Sequence, residues 1–194
     1  MRLFDILLSI FLLALLSPLI LFIIFLVKYN LGSPIFFKQS RPGIKGKPFL
    51  LYKFRTMKNI NNSDGDQLPD DNRLGPFGKF LRSTSVDELP ELWNVLKGEM
   101  SFVGPRPLLM DYLPLYSARQ ARRHEVKPGI TGWAQINGRN SITWKEKLDM
   151  DIWYVNNKSF WLNIRIILIT IVKVIKREGI SGDGIATMDK FKGN

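Results

Sequence analysis

One uninterrupted apolar run constrains this chain more than any other feature. Residues Ile6 to Val27, ILLSIFLLALLSPLILFIIFLV, form 22 residues without a charge. At about 1.5 Å of rise per residue, a helix of that length reaches across a hydrocarbon core of roughly 30 Å. The run is too long for a signal-peptide h-region, no small-x-small cleavage site follows it, and Arg2 ahead of it is balanced by Asp5. Ser17-Pro18 divides the run. Proline lacks a backbone donor and clashes with the preceding turn, so the helix kinks or breaks there. Two geometries follow: a kinked helix that crosses the bilayer, or a re-entrant helix that bends at Ser17-Pro18 and leaves by the face it entered. Cations on both flanks, Arg2 before the run and Lys28, Lys38 and Arg41 after it, favour re-entry, because a crossing segment concentrates them on one side. The segment alone leaves both geometries open.

The remainder reads as one small mixed α/β domain. Residues 35–37 and 49–52 are strand-like, with turns at Arg41-Pro42-Gly43 and Lys45-Gly46-Lys47-Pro48. Residues 59–76 read as a polar surface loop, 77–82 as a short helix, and Ser85–Leu96 as a helix stopped by Gly98. An extended stretch then ends in the rigid Gly104-Pro105-Arg106-Pro107. Leu108–Arg123 looks helical with a break at Pro114, 128–140 is glycine-rich and lies between elements, and Trp144–Tyr154 has helical spacing. The last helix, 159–177, carries an apolar stripe and a basic end. It reads equally well as a core helix or as an amphipathic helix lying in the membrane interface. The tail after Gly179 reads as polar and loose. The domains expected are therefore a membrane helix over 1–29, a catalytic domain over 30–180 and a tail over 181–194.

The net charge of +11 implies anionic partners: nucleic acid, phosphate-rich substrates or an acidic lipid surface. With no cysteine and one histidine, His124, thiolate chemistry and a multi-histidine metal site are excluded within the chain. No P-loop occurs, and no nucleic-acid motif matches. His124 reads as a structural hydrogen-bonding residue.

The segment SVDELPELWNVLKGE holds adjacent acids, Asp87 and Glu88. Read locally, Ser85 and Glu88 form a capping box and Asp87 is a spare acid in the first turn. Their setting suggests more. A helix N-terminus attracts phosphate and favours an ionised carboxylate, as a carboxylate nucleophile requires. Glu88 is suited to a divalent cation, since Mg²⁺ takes one or two carboxylates plus substrate phosphates. Lys79, Arg82 and Lys97 lie close in sequence. Rigid backbone presents Arg106 between two prolines and Arg139 after Asn137-Gly138, which suits planar recognition of phosphate.

Several strings of this chain resemble the monotopic phosphoglycosyl transferases of bacteria, the bacterial sugar transferase family. They are GSPIFFKQSRPGIKGKPF, YKFRTM, LRSTSVDELPELWNVLKGEMSFVGPRPLL, RHEVKPGITGWAQINGRN and DMDIWYV. The resemblance covers roughly residues 1–190. It implies a mixed α/β catalytic domain on a re-entrant helix broken at Ser17-Pro18, seated on the cytoplasmic face of the bacterial inner membrane. It implies that Asp87 attacks the sugar-linked phosphate of a UDP-sugar, releases UMP and becomes a covalent phosphosugar intermediate. Undecaprenyl phosphate then accepts the phosphosugar. Mg²⁺ is the implied cofactor, with Glu88 its ligand and Asp87 a second candidate. Lys53, Arg82, Arg106 and Arg139 fall in motif positions assigned to phosphate or nucleotide contact. The short form and the ending DGIATMDKFKGN resemble the diacetylbacillosamine-phosphate transferases, so UDP-N,N'-diacetylbacillosamine or a related N-acetylated sugar is the expected donor. Arg55 departs from that subgroup, which has Lys there. Membrane lipid is an expected partner, nucleic acid is not, and a homodimer stays open. The competing class is a membrane-anchored basic module that binds anionic lipid or polymer without chemistry.

Overall fold

The computed structural model describes residues 2–60, 68–138, 142–176 and 190–193. The apolar run folds as two helices, α1 (Arg2–Leu15) and α2 (Ser17–Leu31), bent by 63° at the break. Pro18 sits in the first turn of α2, where its missing N–H leaves no bond unmade, and Ser17 Oγ donates to the Ala14 carbonyl at 2.8 Å. Among the described residues no single helix is long and apolar enough to cross a membrane, but the bent pair meets those criteria jointly.

Both arms of the bend are tied to the same domain. The Arg2 guanidinium donates to the carbonyls of Val95 and Leu96. Asp5 is buried and accepts from Ser101 Oγ at 3.0 and 3.1 Å. At the far end, Ile23 and Val27 pack with Phe54 and Leu81, and Arg55 donates to the carbonyls of Leu31 and Ser33. Arg55, the departure from the subgroup pattern, is thus buried at the helix anchor.

The strand-like segments form an antiparallel hairpin of β1 (Phe36–Pro42) and β2 (Pro48–Phe54), with Phe37 opposite Lys53. A second pair, β3 (Ser101–Val103) and β4 (Gly129–Thr131), runs parallel. Gly104 leaves β3 so close to the segment ahead of β4 that an added Cβ would lie 2.3 Å from the Lys127 carbonyl oxygen. That contact fixes where Pro105-Arg106-Pro107 begins. The helices are α3 (Asp70–Arg73), α4 (Pro76–Ser83), α5 (Glu91–Lys97), α6 (Ala118–Ala121), α7 (Trp133–Asn137), α8 (Trp144–Asn157) and α9 (Phe160–Lys176). The main core joins Phe49 and Leu51 of β2, Leu92 and Val95 of α5, Tyr154 of α8 and Ile166 of α9, and Leu8, Leu12 and Leu13 of α1 pack against it. The mixed α/β expectation holds, with helices dominating two small sheets.

Four expectations change. Ser85–Leu96 is not one helix: Ser85 adopts a left-handed conformation (φ 56°), Val86–Glu88 is a 3₁₀ turn, and α5 starts only after Pro90. Leu108–Arg123 is chiefly two 3₁₀ stretches, Met110–Leu115 and Arg122–Glu125, on either side of α6. The loop over 59–76 contains α3, while 61–67 lie outside the described residues. The tail is not loose at 190–193, because Phe191 is buried against Tyr112, Tyr116 and Trp144 at ring separations of 5.4–5.7 Å.

The two readings of α9 are both partly met. Asn163 and Ile166 face the core, while Trp161, Leu168, Ile171, Val172 and Ile175 are exposed. Its first residue, Phe160, packs edge-on against Phe4 of α1 at 5.9 Å.

Candidate active site

Lys53, Glu88 and Arg106 converge from three separate elements. Strand β2 supplies Lys53, the 3₁₀ turn supplies Asp87 and Glu88, and the Gly-Pro-Arg-Pro segment supplies Arg106. Glu88 Oε1 accepts from Lys53 Nζ and from Arg106 Nη2, each at 2.6 Å. Lys53 Nζ also lies 3.2 Å from Glu91 Oε1. The capping box is therefore not formed: Ser85 makes no side-chain cap, and its left-handed backbone turns Glu88 toward the two cations instead. Charge-assisted bonds at this length outweigh a neutral cap.

Burial raises the Glu88 carboxyl, but Arg106 and Lys53 overcome this and hold it well below the usual carboxylate range. Burial would lower the Lys53 ammonium, yet Glu88, aided by Glu91 and Asp87, raises it against Arg106. Glu88 in turn raises the Arg106 guanidinium. These groups stay charged throughout the physiological range.

Asp87 differs. Its side chain is buried, and no described residue donates a hydrogen bond to it. Burial, then the Glu88 charge, push its carboxyl up to about 6, opposed by Lys53, Arg106 and Arg82. The expected positive field at a helix N-terminus is thus not what sets its ionisation, since Asp87 sits in a 3₁₀ turn and burial wins. It is still mostly ionised at neutral pH, with lone pairs free for attack. A nucleophile of this kind predicts an acid limb: kcat/KM should fall as pH drops through about 6, read from initial rates between pH 5 and 8. Glu91, pushed up by burial to about 7, lies in the same window. Glu91→Gln should leave the limb in place, and its disappearance would assign the limb to Glu91.

Arg82 donates through Nε to Thr56 Oγ1 at 3.1 Å and acts on the Asp87 charge, so it belongs to the site. Arg139 lies outside the described residues. Lys97 is not drawn in: it pairs with Glu99 at 2.7 Å and lies over the Tyr52 ring. Lys79 is on the surface. His124 is buried, and burial followed by Arg123 lowers it to about 4, which fits a neutral structural side chain.

Three groups escaped the sequence reading. Glu91 looks like an ordinary helix acid. Arg123 and Asp151 form a buried pair at 2.8 Å, and Arg123 Nη2 also donates to the Arg106 carbonyl at 2.7 Å, bracing the arginine from behind. Arg41, at the end of β1, borders a cavity of about 80 Å³ with Lys53, Glu91 and Arg106.

A buried carboxylate that accepts no hydrogen bond from a described residue, beside cations held by a second carboxylate, makes a site suited to handling phosphoryl groups. The chain belongs to the bacterial sugar transferase family, whose sequence model matches residues 1–177. It is 58% identical over 193 residues to an uncharacterized sugar transferase, EpsL, of Bacillus subtilis (strain 168), covering all of this chain and 96% of that one. It is 42% identical over 182 residues to the UDP-glucose:undecaprenyl-phosphate glucose-1-phosphate transferase of Klebsiella pneumoniae, and 38% identical over 195 residues to the undecaprenyl-phosphate galactose phosphotransferase of Salmonella typhimurium. These matches cover 89% and 92% of this chain but only 39% and 41% of those longer proteins.

Proposed function

We propose that this chain transfers a sugar-1-phosphate from a UDP-sugar to undecaprenyl phosphate, releasing UMP, through a covalent intermediate on Asp87. The observation that carries this reading is the Asp87 carboxylate, buried and free of hydrogen bonds from described residues, directly beside the Lys53–Glu88–Arg106 cluster. In the first displacement an Asp87 oxygen attacks the phosphorus that bears the sugar. The P–O bond to UMP breaks, and UMP departs with the electron pair. In the second, an oxygen of the lipid phosphate attacks the same phosphorus and the Asp87 carboxylate leaves. The bond between sugar and phosphate oxygen stays intact. The attacking groups in both steps are already anionic, so neither step needs a general base. What both need is neutralisation of phosphoryl charge, which Lys53, Arg106 and Arg82 supply.

The donor set fits Mg²⁺. Asp87 and Glu88 are adjacent carboxylates whose charges act on each other, and Mg²⁺ commonly takes one or two carboxylates with the substrate's phosphates. Among the described residues there is no group of three or more metal-ligating side chains, so the substrate would complete the shell. Glu88 would be the ligand, with Asp87 the second candidate, and the bound ion would offset diphosphate charge. Activity should fall by at least about tenfold in excess EDTA and return with added Mg²⁺. Undiminished turnover in EDTA would remove the metal from the account.

Two of the relatives above, those of Klebsiella pneumoniae and Salmonella typhimurium, are named for the transfer of glucose-1-phosphate and of galactose phosphate. UDP-glucose and UDP-galactose therefore stand beside UDP-N,N'-diacetylbacillosamine as candidate donors. UMP release across that panel, with undecaprenyl phosphate present, tests the proposed function. Release from at least one donor supports it, and none from any donor overturns it.

The bent pair is read as re-entrant, with the catalytic domain on the cytoplasmic face of the inner membrane, where nucleotide sugars occur. The anchoring of Arg2 and Asp5 at one end and of Leu31 at the other, on the same domain, supports this. The exposed apolar face of α9, joined to α1 through Phe160 and Phe4, supports a helix in the interface. A cysteine in a tag ahead of Met1 and another at Asn30→Cys, in a chain with none of its own, should both react with an impermeant maleimide from the cytoplasmic side only. Labelling from opposite faces would mean a crossing helix.

A further inference from the structure

Arg41 takes no part in the two displacements as written, yet it is built into their surroundings. It lies on β1 and borders the cavity of about 80 Å³, whose wall also includes Lys53, Glu91 and Arg106. A guanidinium carries five N–H donors. Arg41 uses Nη1 on the Pro107 carbonyl at 3.3 Å and Nη2 on Gln39 Oε1 at 2.6 Å. Its Nε, like that of Arg55, is buried with no hydrogen-bond partner among the described residues, and in Arg41 that donor belongs to a residue on a cavity wall.

Among the residues that line the cavity, cations outnumber carboxylates, although Glu88 behind the wall pairs with two of them. Arg106 stands near enough to Arg41 to oppose its charge, and Lys53 adds a third cation. Glu91 is the one carboxylate among the lining residues, and burial keeps it partly protonated at neutral pH. Lys53 and Arg106 face this cavity and also hold Glu88, so the cavity shares a wall with the Asp87–Glu88 site.

We infer that Arg41 binds a phosphate oxygen of a substrate in this cavity, alongside the phosphoryl group that reacts at Asp87. The inference rests on the proposed phosphoglycosyl transfer. The anion has two sources: the second phosphate of the UDP-sugar, or the phosphate of the lipid acceptor.

The test measures UMP release by the full chain in detergent, varying the UDP-sugar at saturating undecaprenyl phosphate and then the reverse. Arg41→Ala should raise KM for the bound substrate by about tenfold or more, the scale of a lost hydrogen bond to a charged group. A rise for the UDP-sugar assigns the donor diphosphate, and a rise for undecaprenyl phosphate assigns the acceptor. Both KM values within about twofold of wild type, whether or not kcat falls, would overturn the inference and leave Arg41 a structural brace. Arg41→Lys keeps the charge but loses the fork, so its KM should lie between the two. If Arg41→Ala does not accumulate as folded protein, Arg41→Lys carries the test: a KM raised by about threefold or more supports the inference, and an unchanged KM overturns it. If the wild type releases no UMP from any UDP-sugar, the proposed function fails, which is a different outcome.

Discussion

Asp87→Asn is expected to lower UMP release by about a thousandfold or more while the protein remains folded in the membrane. Asparagine keeps the shape of the side chain but offers no anionic oxygen to attack phosphorus. The fold has little reason to resist the change. Asp87 lies buried, and its carboxyl is raised to about 6 by burial and by Glu88. A raised acid binds more protons when folded than when unfolded. Its contribution to stability is therefore present at low pH and is lost as pH rises from about 4 through about 6. At neutral pH the ionised Asp87 costs stability, and the neutral amide should melt at the same temperature as the wild type or higher. Activity and stability thus run in opposite directions with pH at this one carboxyl, the pattern of a group held for chemistry. A variant that kept UMP release within tenfold of wild type would end the nucleophile assignment.

The second large effect is expected at Asp151. Its carboxylate is the partner of the buried Arg123 guanidinium, bonded through Nε at 3.0 Å and Nη2 at 2.8 Å. Asp151→Ala leaves that cation buried and unpaired, which should cost about 3–5 kcal/mol of folding stability. At about 2–4 °C per kcal/mol for a chain of this size, thermal melting should fall by about 6–20 °C. The double change Arg123→Met with Asp151→Leu replaces charge by apolar volume and should recover most of the loss. It does not restore the bond from Arg123 to the Arg106 carbonyl, so kcat should stay low even though the melting temperature recovers. Recovery of both would show that Arg123 serves packing alone.

Much of the site is legible in local sequence. Asp87, Glu88, Lys53 and Arg106 stand out through motif, rigid framing or both, and all four meet in space. The break in the apolar run is legible too, because proline at that depth leaves few choices, although the bend itself falls at Leu16 and Pro18 lies in the first turn of the second helix. What the sequence hides is tertiary. A left-handed serine has no reliable local signal, so Ser85 reads as a helix cap and the 3₁₀ turn that aims Glu88 is missed. Glu91 reads as a surface acid because its burial depends on Lys53 arriving from the hairpin across from Phe37. Arg41 reads as a charge flanking the membrane segment, and only the fold of the hairpin brings it to the cavity beside Arg106. Arg123 sits in a basic cluster with Arg122 and His124, where nothing local marks Arg123 and His124 as buried and Arg122 as not. In each case the deciding contact joins residues far apart in the chain, and spacing along the chain does not carry that information.

The central claim is that Asp87 becomes covalently bonded to the phosphosugar. Intact-protein mass spectrometry of the enzyme mixed with its UDP-sugar, without lipid acceptor, tests it most directly. The account predicts one added sugar phosphate, mapped to Asp87 by peptide digestion, lost on addition of undecaprenyl phosphate and absent from Asp87→Asn. UMP release with no adduct on the wild type, or an adduct that persists in Asp87→Asn, would contradict it.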